Sequence, residues 1–334
     1  MKSFPTFDPP PLLRNGHVQT ILANFTQGRK YPYLAVRHEV ELDDADTVVL
    51  HDDRPANWQP NSPTALLVHG LAGCYSSGYM IRTAGKLNDV GIRVFRMDMR
   101  SCGAGEEMSR RPYHPGISQD VRRVLQYIAR LCPLSRLGVV GFSVGGNITL
   151  KMLGEKPFGL PPLLDRAVVI NPPINMPLCM ERMKKRTTRI YDRHLVKLLY
   201  RQFKRSKELV EHAPYVTDTG PPRGLREFDS IYASVAWGFE SVDHFYEEAS
   251  SLPYLKNIRV PTLLIASRDD PMVPVQMFDS LQPPETLALE ITQHGGHLGF
   301  ISRSGIDADR RWMDWRIVDW MQADFQVAAV AVEA

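Results

Sequence analysis

Leu137-Gly138-Val139-Val140-Gly141-Phe142-Ser143-Val144-Gly145-Gly146-Asn147 is the stretch on which the reading of this chain turns. A short apolar run leads into G-x-S-x-G at 141–145, and an apolar helical pattern, Val144 to Leu153, follows at once, with Gly154 as its expected C′ residue. In that context the serine sits on a sharp strand-to-helix turn, and the flanking glycines relieve crowding around a strained backbone. Ser143 is therefore the candidate nucleophile. An alcohol is a poor nucleophile at neutral pH, so the chain must also supply a general base and an acid that orients it.

Working outward, short apolar runs recur at Ala65–Val68, Val94–Met97, Ala167–Ile170, Thr262–Ala266 and Leu287–Ile291, with helical patterns between them. Continuous rather than alternating runs are those of central parallel strands covered on both faces, which makes the fold class α/β. Two further strands, Ala35–Val40 and Thr47–His51, are expected to add an N-terminal antiparallel edge.

The two missing partners are expected at the ends of the last two strands. After Thr262–Ala266 come Asp269-Asp270-Pro271-Met272-Val273-Pro274, and after Leu287–Ile291 come His294-Gly295-Gly296-His297. The order Ser, Asp, His is that of hydrolases with a nucleophile elbow, so Ser143, Asp270 and His297 form the expected catalytic triad. Asp270 is chosen over Asp269 because in hydrolases of this type the acid is commonly followed by Pro, two apolar residues and Pro, a spacing that Asp270 has and Asp269 fits less well. His294 and His297 could also be read as a metal pair, but no third and fourth ligand stands at an informative spacing, so no metal or cofactor is expected. His69-Gly70-Leu71 follows the strand that ends at Val68. The backbone N–H groups of Leu71 and of Val144 are the expected oxyanion hole, with His69 structural.

All of these residues need one shared scaffold, so the 334 residues are read as a single domain, 1–334. The spacing between the strand ending at Ile170 and the one starting at Thr262 is far beyond an ordinary connection. An insertion from about Ile174 to Leu255 is expected to form a helical cap or lid. In it Leu195, Leu198, Leu199 and Phe203 form an apolar stripe expected to face inward, with Lys197, Arg201, Lys204 and Arg205 on other faces. The Val/Ala-rich tail from Val327 reads as frayed or weakly docked.

Net charge is +3, too mild to indicate nucleic acid. Its distribution is uneven: Ile174–Pro214 holds eleven Lys/Arg and four Asp/Glu, which is +7 and leaves −4 for the rest. A basic cap face of this kind suits peripheral contact with an anionic membrane surface or an ester with an anionic portion. Four scattered cysteines without a CxxC pair indicate neither a disulfide framework nor a zinc site. With no signal-peptide pattern at the N-terminus and no apolar run long enough to span a bilayer, the expected location is cytoplasmic.

Beyond the triad, Arg14-Asn15-Gly16-His17-Val18-Gln19-Thr20, Phe228-Asp229, Trp237-Gly238-Phe239, Phe245-Tyr246-Glu247-Glu248-Ala249-Ser250-Ser251 and Asp269-Asp270-Pro271 occur in a familiar order. From about residue 12 to residue 320 the chain resembles the YheT-like branch of the α/β-hydrolase superfamily, related to embryogenesis-associated esterases and ABHD-type lipid hydrolases. The resemblance implies the α/β-hydrolase fold, carboxylester hydrolysis of short- to medium-chain acyl esters or lipid esters, and nucleophile, acid and base at Ser143, Asp270 and His297. Asp98-Met99-Arg100-Ser101-Cys102-Gly103 departs from the branch, where many members carry glycine in place of Ser101, and this is expected to touch loop geometry only. Two other readings stay open: an acyltransferase using the same acyl-enzyme, and a catalytically silent binding protein on the same scaffold.

Overall fold

The computed structural model describes residues 4–26, 31–213 and 220–323; the Val/Ala-rich tail from Val327 lies outside them. Chain order begins with α1 (Gly16–Phe25), β1 (Val36–Glu41), β2 (Thr47–Asp53), β3 (Thr64–Val68), α2 (Gly78–Asp89) and β4 (Arg93–Asp98). It continues with α3 (Ser118–Leu131), β5 (Leu137–Phe142), α4 (Val144–Glu155) and β6 (Leu164–Ile170). Eight strands form one sheet in the order β1-β2-β4-β3-β5-β6-β7-β8, where β7 is Thr262–Ser267 and β8 is Leu287–Thr292. β2 runs antiparallel to both of its neighbours, and every pairing from β4 across to β8 is parallel.

The apolar runs that announced the strands divide between two cores. Leu66, Val68, Val139 and Val169 point to the face covered by α3 and α4, where Val124, Ile128, Ile148 and Met152 meet them. Ala65, Leu67, Val140 and Val168 point to the opposite face, covered by α2 and the last described helix. A residue step of two along each strand feeds one core, and burial on both faces explains why the runs read as continuously apolar.

Residues 171–261 leave the sheet and return to it. They hold α5 (Met176–Met183), α6 (Arg189–Arg205), α7 (Lys207–Glu211), α8 (Leu225–Phe228), α9 (Ser234–Ala236) and α10 (Val242–Ala249), with a π-helical turn at Asp229–Ala233. β7 is followed by α11 (Gln276–Asp279), and the described chain ends in α12 (Trp312–Gln322). Asn147 on α4 ties this segment down: its amide donates to the carbonyls of Pro115 and Ala249 and its oxygen accepts the Ser251 N–H.

Two local expectations need correction. Gly154 is inside α4 rather than beyond its end; a Cβ there would lie 2.2 Å from the Tyr254 carbonyl oxygen, so glycine is required by close packing and not by a cap. The inward face of α6 is Tyr191, Leu195, Val196, Leu199 and Phe203, with Leu195 lining a cavity as expected and Leu198 only half-buried, because the helix is rotated slightly from the expected orientation. Arg205 lies exposed on another face of α6, as expected, and its guanidinium pairs with Glu106 at 2.8 Å. Ser101 takes φ 56°, a left-handed conformation that costs a side chain about 1 kcal/mol and that glycine adopts freely, which is the physical content of its departure from the branch.

Candidate functional site

Parallel strands all finish on one edge of a sheet, and the loops leaving that edge form the usual crevice for chemistry. Here those loops carry Gly70-Leu71 after β3, Ser143 after β5, Asn171 after β6, Asp270 after β7 and His297 after β8. Ser143 has φ 51° and ψ −120°, a strained conformation for a residue with a side chain. Its turn is possible because a Cβ on Gly145 would fall 2.4 Å from the His69 carbonyl oxygen, a position open only to glycine.

The expected side chains converge. Ser143 Oγ lies 2.8 Å from His297 Nε2, and His297 Nδ1 lies 2.7 Å from Asp270 Oδ2. With Nδ1–H donating to the carboxylate, Nε2 is left to accept the serine hydroxyl proton. Asp270 is fixed from its other side: Oδ1 accepts the N–H groups of Met272 and Val273 at 2.8 and 2.9 Å. Asp269 stands apart from this chain; its Oδ1 accepts the Gly296 N–H at 2.9 Å and its Oδ2 lies 3.4 Å from His294 Nδ1. Among the described residues no group of three or more His, Cys, Asp or Glu side chains converges on a point that could hold a metal ion.

Several positioning residues were not apparent from the sequence. Asn171, at φ 44°, donates its amide to Asp270 Oδ2 at 2.9 Å and accepts the Leu298 N–H at 3.2 Å, joining the acid loop to the histidine loop. Thr20 Oγ1 accepts the His297 N–H at 2.8 Å. Gln19 accepts the Ile301 N–H and donates to the carbonyls of Leu13 and Ile301. The N-terminal stretch from Arg14 to Thr20 is thus a brace for the histidine loop, started by Asn15, whose side chain accepts the His17 and Val18 N–H groups. The Asn-Pro-Pro at 171–173 and the Asn15 cap were visible signals, but Asn171 meets Asp270 and Leu298 across 99 and 127 residues of chain, and Thr20 meets His297 across 277.

The oxyanion candidates sit beside Ser143 on the wall of one cavity. The N–H groups on either side of Leu71 are taken, Gly70 by the Tyr79 hydroxyl at 2.9 Å and Ala72 by the Tyr113 hydroxyl at 2.8 Å. Neither the Leu71 nor the Val144 N–H has a hydrogen-bond partner among the described residues. Burial pushes the Tyr79 phenol up to about 12, so it stays protonated. His69 is buried and serves the loop: Nδ1 donates to the Gly70 carbonyl and Nε2 accepts the Met99 N–H, while burial lowers its pKa and keeps it neutral.

The cavity has a volume of about 220 Å³. Its wall is largely apolar, with Met176, Met180, Met183, Leu195, Leu199 and Leu225 from the 171–261 segment facing Ser143 and His297. Residues 63–304 match the family model described as alpha/beta hydrolase fold. The chain belongs to the alpha/beta hydrolase fold family. This alpha/beta hydrolase is 29% identical over 316 residues to YheT of Escherichia coli (strain K12), whose name records an inferred esterase activity, covering 92% of this chain and 90% of that one. It is 25% identical over 242 residues to human Phospholipase ABHD3, covering 72% of this chain and 59% of that one. Among solved structures, the 2,6-dihydroxy-pseudo-oxynicotine hydrolase superposes with a TM-score of 0.59 over 92% of this chain and 72% of its own, at 18% identity. No described helix is long and apolar enough to cross a membrane.

Proposed function

We propose that this alpha/beta hydrolase is a serine carboxylester hydrolase that works through an acyl-enzyme on short- to medium-chain acyl esters, including lipid esters. The observation that carries the reading is the hydrogen-bonded chain Ser143–His297–Asp270, at 2.8 and 2.7 Å, opening onto an apolar cavity. Ser143 Oγ attacks the ester carbonyl while His297 Nε2 takes its proton, and Asp270 stabilises the imidazolium. The N–H groups of Leu71 and Val144, without a hydrogen-bond partner among the described residues, receive the tetrahedral oxyanion, each such donor being worth about 3 kcal/mol of barrier. His297 then protonates the leaving alcohol. Water, deprotonated by the same nitrogen, attacks the acyl-enzyme and releases the acid. The names of the relatives, one an esterase and one a phospholipase, support the same reaction class.

The 171–261 segment acts as the lid in this reading, its methionines adapting to acyl chains. Lys197, Arg201 and Lys204 on the outer face of α6 are exposed and have no ion-pair partner among the described residues, and they dock the lid on an anionic membrane surface. The decisive experiment compares wild type with Ser143→Ala for labelling by a fluorophosphonate probe and for p-nitrophenyl butyrate turnover. Loss of both in the variant is expected; equal turnover in the two proteins would remove the proposal.

A further inference from the structure

Most polar groups on the cavity wall are already committed. Ser143 and His297 bond each other, and Tyr79 and Tyr191 place their hydroxyls on Gly70 N–H and His17. Asp229 is different. It comes from the 171–261 segment, it is the one carboxyl on that wall among the described residues, and the reaction above makes no use of it.

Asp229 Oδ2 accepts the Tyr246 hydroxyl at 2.7 Å, while Oδ1 has no hydrogen-bond partner among the described residues. The residue opens a π-helical turn, Asp229–Ala233, a local irregularity that frequently marks a functional position. It also stands where two cavities meet. A smaller one, about 30 Å³, shares Leu71, Pro115, Leu199 and Asp229 with the main cavity, which sets the carboxyl on the same wall as the proposed oxyanion donor.

Placing a carboxyl in a largely apolar wall is costly unless something uses it. Burial raises its pKa to about 7, with the Asp192 carboxylate adding to the rise and the Tyr246 hydroxyl opposing it. Asp192 is itself occupied by the Leu225 N–H at 2.9 Å, no Lys or Arg side chain lines the main cavity among the described residues, and Arg100, on the wall of the smaller one, is held by Asp44, Asp46 and Asp120. Near neutral pH the Asp229 carboxyl is therefore in part an uncharged acid, able both to donate and to accept a hydrogen bond at its free oxygen. A site that offers a polar partner in an apolar pocket discriminates strongly, because an analogue lacking the matching group leaves that partner unpaired.

We propose that Asp229 is the specificity-determining residue of the cavity, hydrogen-bonding a hydroxyl carried by the substrate away from its ester, so that the substrate class is hydroxylated esters rather than plain alkyl esters. This rests on the reading of the site as an ester hydrolase. The competing role is purely structural, with the Asp229–Tyr246 bond only joining the π-helical turn to α10.

The test measures kcat/KM for matched pairs of esters with and without a hydroxyl. One arm varies the acyl side, using p-nitrophenyl esters of C4 to C8 acids with and without a terminal hydroxyl. The other varies the alcohol side, using butyrate esters of diols against those of the matching alkanols. In at least one arm wild type should favour the hydroxylated member, and Asp229→Leu should lower that ratio by about tenfold or more. Asp229→Asn keeps hydrogen-bonding capacity without titrating, so its ratio should stay constant between pH 6 and 8, while the wild-type ratio changes as Asp229 ionises. That comparison decides the matter if the leucine variant does not fold. Ratios that are the same in wild type and both variants, in both arms, would overturn the proposal and leave Asp229 structural. Fluorophosphonate labelling of wild type is read in parallel: its absence sinks the hydrolase reading itself, whereas intact labelling with unchanged ratios sinks only the role of Asp229.

Discussion

Replacing Asp270 by Asn tests the proposed acid through its geometry rather than its charge alone. Asp270 Oδ1 accepts two backbone N–H groups, from Met272 and Val273, and Oδ2 accepts His297 Nδ1–H and the Asn171 amide. An asparagine has one oxygen for four donors. Set toward Met272 and Val273, it turns its NH2 against Asn171 and His297, and the histidine then has to accept at Nδ1. The proton moves to Nε2, which can no longer take one from Ser143. The opposite orientation leaves two buried backbone donors facing an NH2 group. Loss of the working tautomer costs about 10⁴ in kcat, equivalent to roughly 5.5 kcal/mol of barrier. The unpaired donors should also lower stability by about 1–3 kcal/mol. Asp269→Asn makes the contrast, because its amide oxygen can keep the Gly296 N–H and its NH2 can face His294 Nδ1. That variant should lose less than about tenfold. Initial rates on p-nitrophenyl butyrate, with thermal melts to verify folding, read both. Asp270→Asn within tenfold of wild type, or Asp269→Asn losing a thousandfold, would refute the assignment.

Asn171→Ala removes the amide that steadies Asp270 and the acceptor for Leu298 N–H, and it puts alanine at φ 44°; a loss of about 1–3 kcal/mol in urea denaturation and a lower kcat with little change in KM are expected. His114 is enclosed by Trp237, Phe239 and Phe245, and burial lowers its pKa to about 3 from the ordinary 6.5. Between those values the unfolded chain binds a proton that the folded chain refuses, so stability should fall as pH drops from 6.5 toward 3, by up to about 1.4 kcal/mol per pH unit. His114→Gln should flatten that slope in denaturation midpoints taken at pH 5 and 7. Reversing Lys197, Arg201 and Lys204 to Glu should weaken binding to phosphatidylserine vesicles by about a hundredfold or more, less so at high salt, and leave p-nitrophenyl butyrate turnover unchanged. Vesicle binding equal to wild type would reduce that face to a solvated surface.

What the sequence by itself determined is what local pattern and chain order can encode. Apolar runs with helices between them specified parallel strands, and G-x-S-x-G between a strand and a helix specified the turn at Ser143. Because parallel strands end on one edge, the groups after β7 and β8 had to arrive beside it. What only the tertiary structure decided depends on contacts between distant segments. Asp269 and Asp270 are adjacent in the chain, yet the Met272 and Val273 N–H groups and Asn171 aim Asp270 alone at His297. The N-terminal stretch was recognisable as a motif, but the hydrogen bonds of Thr20 and Gln19 to the histidine loop cross more than 270 residues of chain. The rotation of α6, which buries Val196 in preference to Leu198, follows from what that helix meets across the cavity, as does the close approach of Tyr254 that demands glycine at 154. A periodic pattern identifies a face of an element; the partner of that face is set by the simultaneous packing of all the others.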